Sequence, residues 1–301
     1  MPPTANTTVA QALQEAQASG LARLDAQLLL LFAMGKASYD RSWLVAHDDA
    51  LLSHDAIATY ARLTMERARG IPVAYLVGNK EFFGLQLAVS PAVLIPRPDT
   101  ETLVTWASEI MATRDADEPA GQLIDLGTGS GAIALALKAH FPGWNVTATD
   151  ASQPALDQAM RNGATLGLQV SWCLSDWFRN LTASRYDLIV SNPPYIPEND
   201  PHLEALAFEP RSALTSGHDG LDDIRRIVTH SPSHLRAGGW LLIEHGYDQG
   251  PAVAALLADA GFESVMQRAD LAGVTRCTGA RWDGPQRDYP FWAAPFAFCN
   301  N

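Results

Sequence analysis

Leu123-Ile124-Asp125-Leu126-Gly127-Thr128-Gly129-Ser130-Gly131 is the stretch on which the fold turns. A short run of buried-strand character enters a loop with glycine at alternate positions, and residues 132–140 then read as a helix. Glycines let a backbone turn sharply and lie close to a ligand. The free N–H groups that open the following helix suit an anionic part of that ligand. Gly127, Gly129 and Ala132 also fit the relaxed dinucleotide-binding pattern. A tight turn with no ligand has the same local sequence, so the decision rests on the neighbours.

Outward from this loop the chain alternates strand and helix. Strand character recurs at 145–149, 169–174, 187–191 and 240–244, with a strand pair at 264–268 and 274–278. Helical character falls at 154–166, 222–230 and 251–260. Such alternation predicts an α/β domain whose mostly parallel, seven-stranded sheet is covered by helices on both faces. Ligands of these sheets bind at the carboxyl ends of the strands, where strand order reverses.

Three of those ends carry chemistry. Asp150 lies about twenty residues past the glycine loop, where an acid can accept both hydroxyls of a ribose; a helix cap or a solvated loop acid is the plainer alternative. Asp176 and Trp177 follow the third strand. Asp176 can accept an amino group, and Trp177 can lie against a purine or simply pack. The fourth strand enters Ser191-Asn192-Pro193-Pro194-Tyr195. Two prolines fix φ twice, remove two N–H donors and hold each preceding residue extended. The product is a stiff hook with Asn192 at its mouth, bare carbonyls behind it and the flat ring of Tyr195 beside it. A rigid pocket of acceptors with an aromatic lid suits a planar –NH₂ group.

The segments before the sheet differ in kind. Residues 8–70 read as helices throughout, with Leu24, Leu28, Leu31 and Phe32 at helical spacing and Gly35 as a stop. Asp40 and Ser53 are expected caps for two further helices. From Pro72 to Pro98 the alternation of Leu85, Leu87 and Val89 around Gly84 predicts a β-hairpin linker. Asp99 or Thr100 is expected to cap a helix bearing Leu103, Val104, Ala107, Ile110 and Met111. The expected divisions are therefore a helical recognition bundle over 1–71, a hairpin linker over 72–98 and the sheet domain over 99–281. Residues 282–301, rich in Trp, Tyr and Phe, form an extension of unknown role.

Bulk properties narrow the function. The chain has 301 residues, enough for two domains at roughly 150 residues each. A hydrophobic content of 47% with 18% charged residues fits a soluble globular protein with a core. No apolar run is long enough to span a bilayer. The N-terminus lacks an export signal, and three scattered cysteines match no zinc spacing, so a reducing cytoplasm and no metal are expected. A net charge of −12 with no Lys/Arg block argues against direct nucleic-acid binding. None of the eight histidines sits in a motif, and His245 reads as a local hydrogen-bonding residue.

The glycine loop, Asp150, Asp176-Trp177 and Asn192-Pro193-Pro194-Tyr195 together resemble class I S-adenosylmethionine-dependent methyltransferases acting on planar –NH₂ groups. With Leu94-Ile95-Pro96-Arg97-Pro98-Asp99-Thr100-Glu101, Glu209-Pro210-Arg211-Ser212-Ala213-Leu214 and Glu244-His245-Gly246, the chain from about 22 to 281 is similar to the protein-(glutamine-N5) methyltransferases of peptide chain release factors. The resemblance implies a Rossmann-like domain that uses S-adenosyl-L-methionine and releases S-adenosyl-L-homocysteine. It implies that Gly127, Thr128, Gly129, Ser130 and Gly131 wrap the methionine part, that Asp150 holds the ribose, and that Trp177 lies by the adenine. It further implies that Asn192, Pro193, Pro194 and Tyr195 hold a glutamine amide of class I release factors, and that the helical bundle touches the body of that substrate. Three rival readings stay open from sequence: an adenine-N6 methyltransferase of DNA or RNA, a glutamine methyltransferase of a ribosomal protein, and a nicotinamide-dependent oxidoreductase or binding protein.

Overall fold

A computed structural model describes residues 7–114, 119–181 and 184–284. Four helices open it: α1 (Val9–Ala18), α2 (Arg23–Ala33), α3 (Arg41–Ala46) and α4 (His54–Ala68). They enclose their own core, in which Leu29, Leu30, Leu31 and Leu63 are fully buried. The Tyr60 hydroxyl donates to the Ala26 carbonyl at 3.2 Å, and Arg67 Nε donates to Asp25 Oδ2 at 2.7 Å, so α4 is tied to α2 twice. Ser53 caps α4 by accepting from Ala56 N. Asp40 precedes α3 but makes no capping bond. Its ψ of 28° lies outside the extended conformation in which a cap side chain reaches back to the first turn.

The segment expected as a plain hairpin linker starts with a short helix, α5 (Val73–Val77), set off by Pro72 and ended by Gly78 at φ 73°. The hairpin follows as β1 (Asn79–Phe82) and β2 (Leu85–Ala88), with Phe83 and Gly84 both at positive φ in its two-residue turn. That geometry matches the right-handed twist of the flanking strands. The hairpin is sewn to the sheet domain. Phe82 and Leu87 enter that domain's core, and the Asn162 side chain exchanges hydrogen bonds of 2.9 and 3.0 Å with the backbone of Ala88.

After a 3₁₀ turn at Pro98–Thr100 come α6 (Glu101–Ala112), β3 (Gln122–Leu126), α7 (Ala132–His140), β4 (Asn145–Asp150), α8 (Gln153–Leu166) and β5 (Ser171–Leu174). They are followed by β6 (Tyr186–Ser191), α9 (Asp222–His234), β7 (Leu235–Glu244), α10 (Gly250–Asp259), β8 (Glu263–Ala269) and β9 (Thr275–Trp282). The seven strands lie in the order β5-β4-β3-β6-β7-β9-β8. The first five run parallel, and β9 is antiparallel to both neighbours. Alternate residues serve opposite faces: Leu123, Leu188, Val190 and Leu242 pack with α6 and α7, while Ile124, Ile189, Leu241 and Ile243 pack with α9 and α10. Order reverses between β3 and β6, so their carboxyl ends frame a crevice.

Two boundaries differ from the sequence expectation. Helix α9 continues through Pro232 to His234, and β7 begins at Leu235 rather than at Trp240, with a register irregularity against β6. Trp282, expected in the extension, is the last residue of β9; it pairs with Gly239 and its ring meets Phe262 at 5.5 Å between centroids. The other aromatic residues of that extension, Tyr289, Phe291, Trp292, Phe296 and Phe298, lie outside the described residues, as does Cys299.

Candidate functional site

The crevice at the β3/β6 reversal opens into a cavity of about 330 Å³. Its floor is the glycine loop. Gly127, Gly129 and Gly131 have φ of 73°, 56° and 85°, a left-handed series that side-chain-bearing residues rarely adopt. Gly127 N and Thr128 N donate to Thr149 O on β4, and Gly129 N donates to Asp150 Oδ2 at 2.8 Å. Beneath the loop the Asp125 carboxylate is fully buried. It accepts from the Thr128 hydroxyl at 2.6 Å and from Ala134 N at 3.2 Å, while Oδ1 has no partner. Burial pushes the Asp125 carboxyl up to about 7. Asn162 Nδ2 donates to Ser130 O at 2.8 Å, so the residue that anchors the hairpin also braces the loop.

Asp150 stands over the loop with Oδ1 accepting from Ser152 N at 2.8 Å. Burial raises its pKa, and the backbone N–H bonds oppose that rise. Asp150 lines the cavity, and each carboxylate oxygen can accept a further hydrogen bond, as a ribose diol requires. Trp177, at φ 50°, is pinned by a bond from Nε1 to Asp223 Oδ1 at 3.0 Å. Its ring lies so close to Gly127 that an added Cβ there would sit 3.2 Å from it. Asp176 reaches the same cavity but gives Oδ2 to Arg226 at 2.7 Å. An acidic, aromatic and glycine-lined cleft of this volume fits a nucleoside with a charged appendage.

The hook lies at the end of β6. Ser191 fixes its root by donating to Leu126 O at 2.7 Å. Ile196 bridges to Thr215, and Gln249 Nε2 donates to Tyr195 O at 3.0 Å. Gly220 packs so tightly on that carbonyl that a Cβ would approach it to 2.1 Å. Asn192 and Pro194 line the cavity; Asn192 Nδ2 donates to Thr100 Oγ1 at 3.1 Å. Thr100 therefore spends its hydroxyl on the site instead of capping α6, where it makes no capping bond.

Of the twelve residues singled out in the sequence, Gly127, Gly129, Asp150, Asp176, Trp177, Asn192 and Pro194 line the cavity. Thr128, Ser130 and Gly131 stand behind its floor, all three buried. Pro193 is buried behind the hook. Tyr195 packs on the α9/α10 side, where burial first and then the charge of Glu244 push its hydroxyl upward. Glu244 is the residue that sequence reading did not assign. It ends β7, is 1% exposed, and burial pushes its carboxyl up to about 7. An acid closing an otherwise apolar strand next to the hook was the available signal. His245 is buried with both ring nitrogens bonded, to Gly246 O and Thr278 Oγ1, in keeping with its structural reading. Among the described residues no group of three His, Cys, Asp or Glu side chains is placed to hold a metal ion, and no helix is long and apolar enough to cross a membrane.

Comparison with known proteins adds to this geometry. Residues 5–78 match the family model described as PrmC N-terminal domain, and residues 102–217 match that described as Methyltransferase small domain. A Xylella fastidiosa protein named "Release factor glutamine methyltransferase" is 48% identical over 91% of this chain and 98% of its own length. A Pseudomonas aeruginosa protein of the same name is 47% identical over 92% of this chain and 99% of its own. Among solved structures, a methyltransferase from Pyrococcus furiosus aligns with a TM-score of 0.51 at 17% identity, over 73% of this chain and 99% of that one, a likeness of fold.

Proposed function

The chain belongs to the release factor glutamine methyltransferase family, and from that premise we propose that it methylates N5 of the glutamine in the Gly-Gly-Gln loop of class I peptide chain release factors, with S-adenosyl-L-methionine as donor. The observation that carries this reading is the direction of Asn192. Its –NH₂ end is bonded to Thr100, which leaves its carbonyl oxygen for the cavity. A carbonyl there accepts from a substrate carboxamide, whose own nitrogen must be presented N–H first.

The donor supplies a methyl on a positively charged sulfur that leaves as a neutral thioether, chemistry that asks for no acid. The glycine loop would hold its methionine part, Asp150 the ribose hydroxyls, Asp176 the adenine amino group and Trp177 the edge of the ring. Asn192 Oδ1 and the Pro193 carbonyl would take the two N–H bonds of the glutamine amide. An amide nitrogen is a weak nucleophile because its lone pair is shared with the carbonyl. As positive charge grows on it, bonds to those two acceptors strengthen, which lowers the barrier selectively; as the C–N bond forms and the C–S bond breaks, one of the two N–H protons is lost to solvent, leaving a neutral N-methyl amide. Fixing the nitrogen in line with the methyl can contribute as much as roughly 7–11 kcal/mol. Tyr195, Pro194 and the bond from Gln249 keep the hook from yielding. The helical bundle would contact the body of the factor, and the reaction would take place in the cytoplasm without nucleic acid or membrane.

Incubation with labelled donor and a class I release factor, followed by peptide mapping, tests the reading. Label on the Gly-Gly-Gln glutamine is expected. A Gln→Glu substrate should be rejected by as much as about 10⁴-fold, because the acceptors lose their partners. Transfer to DNA, RNA or a ribosomal protein with none to the factor would contradict it.

A further inference from the structure

We propose that Glu244 is a positioning residue that, directly and through Thr100, decides which end of the Asn192 carboxamide faces the substrate. This role rests on the reading of Asn192 as the hook for the glutamine amide. The sheet brings the groups together: Ser191 on β6 lies opposite Ile243 on β7, so Asn192 and Glu244 leave adjacent parallel strands side by side. Thr100, 4% exposed at the start of α6, meets both. The side chains of Thr100 and Asn192 lie within reach of the Glu244 carboxyl and favour its charged form, and its Oε2 remains without a partner.

The logic lies in what each group can do. A hydroxyl both donates and accepts, so Thr100 alone would satisfy either end of the Asn192 amide. An ionised carboxylate only accepts. It draws the single Thr100 proton to itself, Thr100 then faces Asn192 with a lone pair, and the –NH₂ end of Asn192 is the end that can answer. The carbonyl end is left toward the cavity. Arg276, the neighbouring guanidinium, is held by Asp99 and Asp270 at 2.9 Å each. Burial and the charge of Asp99 oppose the ionised carboxyl, while Thr100, Arg276 and Asn192 favour it; Tyr195 and Cys277, whose own protons Glu244 helps to hold, stay neutral beside it. A buried acid with one oxygen unpartnered is costly to keep. Glutamine would fill the same space without that cost, but its –NH₂ group can donate to Thr100, reverse the hydroxyl and let Asn192 turn over.

The test uses the full-length enzyme, a class I release factor and three variants: Glu244→Gln, Thr100→Val and Thr100→Ser. Glu244→Gln should lose about 10- to 100-fold in kcat, the scale of a misaligned reacting group. Its calorimetric Kd for S-adenosylmethionine and its Tm should not worsen. Thr100→Val should lose kcat comparably, and Thr100→Ser, which keeps the hydroxyl, should restore it. The role is overturned if Glu244→Gln turns over like an active wild type, if serine fails as badly as valine, or if lost turnover merely tracks lost cofactor binding or lost Tm. A wild-type enzyme that leaves the glutamine unmethylated overturns the underlying reading and this role together. Should Glu244→Gln not fold, the Thr100 pair decides by itself.

Discussion

Asn192 has one amide with a donor end and an acceptor end, and the proposed chemistry depends on keeping them apart. Asn192→Ala is expected to lower kcat by at least about 10²–10³-fold, the range for deleting one transition-state hydrogen bond. Cofactor affinity measured by calorimetry should fall much less. Equal losses in both would mean that Asn192 serves only the cofactor. Asn192, Asp150 and the glycines were legible in the sequence because a diproline, a strand end and alternating glycines are local signals. Thr100 and Glu244 were not. Thr100 sits where a helix cap belongs, and Glu244 closes an apolar run; they meet at Asn192, which the pairing of β6 with β7 sets beside Glu244. Asp125 was equally hidden, as one polar letter inside a buried strand. Its pKa, raised by burial from 3.8 to about 7, means that the folded chain holds this proton more tightly than the unfolded one. The associated stability is present below about pH 4 and is lost as pH rises through 7. Asp125→Asn should remove that slope, gaining up to roughly 4 kcal/mol over wild type at pH 8 relative to pH 4, at about 1.4 kcal/mol for each tenfold change in proton affinity. Parallel urea titrations at the two pH values check this, and an unchanged slope would mean that the carboxyl titrates normally.

Elements set these residues in place through backbone geometry. Gly127 holds φ 73° and lies under the Trp177 ring. Gly127→Ala combines left-handed strain of roughly 1–2 kcal/mol with a tight contact that presses on that ring. Calorimetry should therefore record S-adenosylmethionine binding weaker by at least about tenfold, and wild-type affinity would remove the loop from the cofactor site. The hairpin was legible from Gly84 and the alternation around it. Its attachment was not, because Asn162 lies far along the chain on α8 and bonds both Ala88 and Ser130. Asn162→Ala leaves buried backbone groups unpaired and should cost about 1–3 kcal/mol in denaturant unfolding. It should also loosen cofactor binding, since Ser130 belongs to the loop. Helix α5 escaped notice for a different reason: five residues between Pro72 and Gly78 are too few for periodicity to speak.

At the scale of the whole molecule the helical bundle, proposed to bind the substrate's body, stands apart from the cavity. The helical bundle has its own core, and every residue that lines the cavity lies in the hairpin's trailing loop or the sheet domain. Leu29 is fully buried in that bundle. Leu29→Ala should destabilise it by about 2–5 kcal/mol. Release factor methylation should then decline at fixed enzyme concentration, with S-adenosylmethionine affinity unchanged; a matching loss of affinity would mean that the bundle shapes the pocket itself. Fold class was legible at this scale because alternating strands and helices around a glycine loop admit few topologies; the order of the strands came only with the structure. The strand ends were blurred where a proline lay inside α9 and a register irregularity lay in β7. The central claim is that the hook holds a carboxamide by both hydrogens and aims its nitrogen at a sulfonium methyl. A crystal structure of the enzyme with S-adenosyl-L-homocysteine and a class I release factor measures this directly. The glutamine N5 should lie within hydrogen-bond distance of Asn192 Oδ1 and the Pro193 carbonyl, in line with the sulfur; a glutamine bound elsewhere, or a hook turned from the sulfur, would contradict the claim.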